Sequence, residues 1–248
     1  MKVLITSGCS FSVTINNYNK CWPGFLSEAL ELPLVNKAMG SQGNGLITRS
    51  IIYEVTNQLK HHNPEDILVG AMFSGINRKD YYTENPDLLS FIINKSEDGV
   101  IENPTGFIGN ASKNWVILNH HWQGHPHKND EAKYFYKYFY NDTNAMIETL
   151  EHILRLQYFL KEKQVKHFFT CHRNEVLNNN YINHDEVKHL YDLIDFSNFL
   201  PVKSIHDWII TNSIFMEDFE DPNYDDHPSN RQHKAFVEQV ILPYIQKL

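Results

Sequence analysis

The first seventy residues of this chain switch hydrophobic period in a fixed order, and few folds accept that order. Val3-Leu4-Ile5 is a short apolar run, as a strand buried on both faces should be. Pro23 opens a helical stretch over 24–31 with Phe25, Leu26, Ala29 and Leu30 as its expected apolar face. Leu32 to Val35 reads as a second strand, a Gly-rich loop runs from Asn36 to Gly45, and apolar residues at Leu46, Ile47, Ile51, Val55 and Leu59 predict a helix to His61. Asn63-Pro64-Glu65 breaks it, and Asp66 to Ala71 is a third strand. Strand, helix, strand, helix, strand predicts an α/β fold: a parallel sheet with helices on both faces.

The rest of the chain is less regular. Residues from about 76 to 140 are rich in Asn, His and aromatic side chains with weak periodicity, and are expected to be an insertion after the third strand, at the end of the sheet where active sites form. A lid or binding loop and a plain surface excursion are both compatible with this composition. The run Tyr134 to Tyr140 suits either cleft cover or packing against the following helix. His120, His121, His125 and His127 cluster without the spacing that would hold a metal. Beyond 140 the pattern predicts a long amphipathic helix from Thr143 to Lys163, a strand from Val165 to Thr170, short helical pieces at 185–194 and 206–211, and a last helix capped by Ser229, kinked or ended at Pro243.

Bulk composition narrows the function. Of the 248 residues, 42% are hydrophobic, enough for one sizeable domain spanning 1–248. A net charge of −8 disfavours a nucleic-acid partner. No apolar run approaches the roughly 18 residues of a membrane span. Cys9, Cys21 and Cys171 form no paired or zinc-binding spacing, so free thiols in a reducing, cytoplasmic compartment are expected. The stretch after Lys2 reads as a strand and not as a signal peptide.

Two distant segments carry the chemistry. Gly8-Cys9-Ser10-Phe11 follows the first strand, and Asp225-Asp226-His227-Pro228 precedes the last helix. A serine on a tight turn after a buried strand becomes a nucleophile when a histidine takes its proton and a carboxylate orients that histidine. Gly-x-Ser-x-Gly is absent because position 12 is Ser. The loop 39–45 is neither a P-loop nor a dinucleotide fingerprint.

With these blocks the chain resembles the SGNH (GDSL-like) hydrolases over almost its whole length, the insertion excepted. The resemblance implies a three-layer α/β/α flavodoxin-like fold. It also implies a serine hydrolase with no cofactor and no metal, whose motifs fall in four blocks. Ser10 inherits the nucleophile, with Cys9 in place of the family's Asp, and its own N–H is one oxyanion donor. A second donor comes from the loop after the second strand, from Gly40 or Ser41. In the third block Ser74 falls where the family has Asn, with Asn77 as the alternative. In the fourth, His227 is the general base, and Asp225, or its neighbour Asp226, the orienting carboxylate. Arg78 and Asn44 are expected to contact substrate, Arg78 through a carboxylate or phosphate unless it serves in a structural ion pair. The resulting expectation is an esterase for a short acyl group, such as O-acetyl, on a carbohydrate. A glycan-binding module lacking turnover and an acyltransferase with the same triad are the competing readings.

Overall fold

The computed structural model describes residues 1–13, 20–82, 84, 95–96, 99–100, 115–119, 130–178, 180–219 and 227–248. Its centre is a five-stranded parallel sheet. In chain order the strands are β1 (Val3–Ser7), β2 (Leu34–Asn36), β3 (Ile67–Phe73), β4 (Arg78–Tyr82), β5 (Lys95–Ser96), β6 (Gly99–Val100), β7 (Trp115–Asn119), β8 (Lys166–Cys171) and β9 (Phe199–Ser204). The helices are α1 (Trp22–Leu30), α2 (Asn44–Gln58), α3 (Asp130–Tyr138), α4 (Asp142–Glu162), α5 (Asp185–Tyr191), α6 (Ile205–Thr211), α7 (Asn230–Phe236) and α8 (Leu242–Ile245). The central sheet runs β2-β1-β3-β8-β9. The chain leaves β1 toward one edge and returns past it to β3, so β1 and β3 flank the switch point where clefts form in doubly wound sheets.

Alternation along the strands divides the core in two. Val3, Ile5, Ile67, Val69, Ala71, Phe73 and Phe169 face α2 and α4, meeting Ile47, Ile51, Val55, Leu150 and Ile153. Leu4, Leu68, Met72, Phe168 and Leu200 face the other way, onto Trp22 and Leu26 of α1, Trp208 of α6 and Phe236 of α7. Each such fully buried side chain contributes roughly 1.5–3 kcal/mol through burial alone. β1 and β3 are buried over their whole lengths, as helices on both faces require.

Several expectations shift. α1 buries Trp22, Pro23, Gly24 and Leu26, while Ala29 faces solvent, because the chain enters the helix at Trp22 and that ring takes the core position. The second strand is Leu34–Asn36, and the helix expected from Leu46 begins at Asn44. β9 has no counterpart among the expected elements: its Pro201 argues against a strand, yet β9 is an edge, where a residue without an N–H is tolerated and Pro201 is exposed. The last helix does not stop at Pro243. A π turn, Val237–Ile241, precedes α8 and carries the helical path past the proline.

Within the insertion, β4 pairs antiparallel with β7, Arg78 opposite Asn119 and Tyr82 opposite Trp115. α3 and the turn after it carry the aromatic run: Tyr136 is buried with Leu118 against Phe135 and Tyr140, while Tyr134, Tyr138 and Phe139 face solvent. The four clustered histidines, 120 to 127, lie outside the described residues. No helix among the described residues is long and apolar enough to cross a membrane.

Gly70, at the centre of β3, sits in close contact with the second core layer. A Cβ there would lie 2.7 Å from Phe168 Cζ and 2.9 Å from Trp22 Cη2. Gly70→Ala is therefore expected to destabilise the fold by about 1–3 kcal/mol, read as a lower urea midpoint; an unchanged midpoint would refute this packing.

Candidate active site

The C-terminal ends of β1, β2, β3 and β8 lie along one edge of the sheet, and the loops leaving them meet there. After β1 the chain makes a 3-10 turn, Ser10–Ser12. The turn is closed by Ser12 N–H on the Cys9 carbonyl at 2.8 Å. Ser12 is its internal fastening: its hydroxyl accepts from Trp22 Nε1 at 2.9 Å and reaches Met72 Sδ at 3.4 Å. That hydroxyl lies 2.4 Å from where a Cβ on Gly8 would be, so only glycine fits at position 8. Asn36, at the end of β2, binds the turn from outside. Its Nδ2 donates to Ser12 O at 2.7 Å, and its Oδ1 accepts from Thr6 Oγ1 and Ala38 N. Nothing in the composition of the Asn36 segment signalled this role.

Ser10 Oγ and His227 Nε2 are 2.7 Å apart, across 217 residues of sequence. His227 is held from its C-terminal side. Ser229 caps α7 in a reciprocal box with Gln232, and its hydroxyl donates to Asp218, which also pairs with Arg231. Phe11 packs against the His227 ring at 4.8 Å between centroids, and His172, following β8, meets Phe11 edge-on at 5.6 Å. Behind the site, burial pushes His233 down to about 3, with the neighbouring His227 charge adding to the effect. His172 is likewise held well below the usual imidazole range, first by burial and then by Arg78. Both stay neutral near pH 7. Asp225 and Asp226 lie outside the described residues.

The loop after β2 carries a left-handed residue at Ser41, φ 61°, one position past Gly40, which has open space around it. The glycine-like backbone therefore falls at Ser41. Gln42, next along, is fully buried, and neither of its side-chain amide atoms has a hydrogen-bond partner among the described residues.

Asn44 and Ser74 come together as a structural pair. Asn44 Oδ1 accepts from Ser74 N at 2.7 Å, and its Nδ2 donates to Ser74 O at 3.0 Å and Thr149 Oγ1 at 3.2 Å. Ser74 Oγ donates to the Gln42 carbonyl at 2.6 Å. These bonds fasten the second-strand loop to the third-strand loop and commit both side chains inside the protein. The chain then turns back, Arg78 N–H onto Gly75 O at 3.2 Å, bringing Asn77 Oδ1 to 2.8 Å from where a Cβ on Gly75 would sit. Tyr136 of α3 donates to Asn77 O at 2.5 Å and ties the insertion to this loop.

Asp80, which no spacing along the chain singles out, is the other tie. Its carboxylate accepts from Gly43 N and Leu46 N, both at 3.0 Å, capping α2 from a neighbouring strand. Burial raises its pKa from 3.8 to about 6, against the two amides and the nearby Lys79 and Arg78.

Residues 12–97 match a family model described as a family of unknown function (DUF6071). The match spans the second- and third-strand loops and stops short of Ser10 and His227. No curated protein matches the chain.

Because the folded Asp80 carboxyl keeps its proton to a higher pH than an unfolded one, its contribution to stability is greatest below pH 4 and declines as pH rises through about 6. Asp80→Asn should flatten that decline: melting temperatures measured from pH 4.5 to 7.5 should fall less steeply in the variant than in the wild type. Parallel curves would show that this carboxyl titrates normally.

Proposed function

We propose that this protein is a serine hydrolase of the SGNH type, acting on a carboxylic ester through an acyl-enzyme on Ser10. The observation that carries this reading is the 2.7 Å approach of His227 Nε2 to Ser10 Oγ, between segments with no local reason to meet. Ser10 at the end of β1, beside the switch point, is also where a doubly wound sheet gathers reactive groups.

In this reading His227 takes the Ser10 proton as Oγ adds to the ester carbonyl, then gives it to the departing alcohol. Water, activated by the same imidazole, releases the acid. Phe11 fixes the plane of the imidazole. Neutral His233, and neutral His172 against the Phe11 ring, do not compete for the proton. Asp225, or Asp226, is the carboxylate assigned to steady the imidazolium.

The oxyanion is assigned to the Ser10 N–H and to an N–H of the 40–42 loop, where the left-handed Ser41 turns the backbone. Ser74 would join them only by leaving the Gln42 carbonyl; Asn77, folded back over Gly75, is the alternative side-chain donor. The preferred substrate is a short acyl ester, such as O-acetyl, on a carbohydrate. No cofactor enters the scheme.

The commitment of Ser74 to Gln42 also supports a second reading, a glycan-binding module with little or no turnover. Hydrolysis of a fluorogenic acetyl ester separates the two. The esterase reading expects turnover that falls by about 10³-fold or more in Ser10→Ala and comparably in His227→Ala. Wild-type turnover no greater than that of Ser10→Ala would overturn it. Product that appears only with an added alcohol acceptor would instead identify an acyltransferase using the same Ser10 and His227.

A further inference from the structure

We propose that the cavity between the first turn of α2, β4, β7 and α4 is a binding site for a small oxyanion, a carboxylate or phosphate group. The cavity measures about 120 Å³, and Asn44, Arg49, Arg78, Trp115, Thr149 and His152 are among its walls. That volume suits one such group and little more.

Two of the side chains that line the cavity carry strong donors left unmatched among the described residues. Arg78 Nη1 and Trp115 Nε1 are both shut off from solvent, and neither has a hydrogen-bond partner among the described residues. Buried N–H groups are matched in nearly every folded protein, and a charged one is the costliest to leave bare. Whatever brings acceptor oxygens here lowers the free energy of the folded state. An oxyanion offers several, and a guanidinium fork is shaped to meet two of them.

The charge balance points the same way. Arg49, Arg78 and Lys79 line the cavity, against the carboxylates of Asp80 and Glu148. Glu148 is paired with Lys79 at 2.5 Å, and both Asp80 oxygens accept from amides of α2. Arg49 lies over the Trp115 ring at 5.4 Å. His152 is kept down at about 4 by burial first, then by Arg155, Lys79 and Arg49. A locally cationic chamber in a chain of net charge −8 is a selective feature.

Asn44, Ile76 and Arg78 of the cavity lie in or directly after the loops that leave β2 and β3. The cavity does not depend on Ser10 being a nucleophile, and its occupant has two possible sources: an acidic group carried by the substrate, or a free anion. Titration calorimetry on the full chain, with sodium phosphate and separately sodium malonate at ionic strength fixed by sodium chloride, tests the site. Saturable binding of one or both is expected, weakened about tenfold by Arg78→Gln, a loss of about 1.4 kcal/mol. Trp115→Phe, which keeps a ring and removes the Nε1 donor, should weaken it by roughly threefold or more, and exposed Lys166→Gln, at the opposite end of the sheet, should not. Absence of saturable binding by the wild type, or equal affinity in Trp115→Phe, overturns the proposal. The same titrations in Ser10→Ala should give the wild-type affinity. Binding that disappears there would also overturn an independent cavity. Where turnover is measurable, competition by phosphate against an acidic ester but not a neutral one assigns the cavity to the substrate. Equal turnover of both with phosphate bound assigns it to a free anion.

Discussion

A parallel strand buried on both faces can expose its chemistry only at its ends. β1 and β3 are such strands, and every other feature of the molecule follows from how their two faces are covered. α2 and α4 seal one face, α1, α6 and α7 the other, and the strand ends are left to share one edge. That arrangement brings Ser10, the Ser41 turn, Ser74 and His172 together from positions far apart in sequence. It also fixes the last helix, and with it His227, against the same core through Ala235 and Phe236.

What holds the loops at that edge is a set of side-chain hydrogen bonds that replace backbone pairing. Asn36 fastens the second-strand loop to the Ser10 turn, Asn44 fastens it to Ser74, and Asp80 fastens the insertion to the start of α2. Buried amide and carboxylate groups used this way are costly unless fully matched, and once matched they hold geometry closely. The contrast with Gln42, Arg78 and Trp115 is informative for that reason. In a region where Asn44 and Asp80 are so completely satisfied, Arg78 and Trp115, unmatched among the described residues, are the donors on which the proposed anion site rests.

Much of the architecture was legible in the sequence because its signals are local. Val3-Leu4-Ile5, the spacing from Leu46 to Val55, the long α4 pattern and the Ser229 cap each carry their own period or capping chemistry. β9 was hidden because Pro201 is acceptable only at an edge, and being an edge is a property of the finished sheet. β4 was hidden because Arg78-Lys79-Asp80-Tyr81-Tyr82 has no apolar alternation; its pairing with β7 is long-range. The turn at Gly8-Cys9-Ser10 and the Asp225-Asp226-His227 segment could be paired by their chemistry and by the family resemblance, but no local pattern along the chain fixes the distance between them. The uses of Asn36, Asn44 and Asp80 depend on which loops the sheet brings together, and no spacing along the chain announces them.

The proposed chemistry requires that His227 activate Ser10. Labelling the purified protein with a fluorophosphonate probe, read by intact mass, addresses it without knowledge of the substrate. An activated Ser10 should give a single adduct on the wild type, absent from Ser10→Ala and strongly slowed in His227→Ala. A folded wild type that takes up no probe, or a Ser10→Ala variant labelled as fast as the wild type, would contradict it.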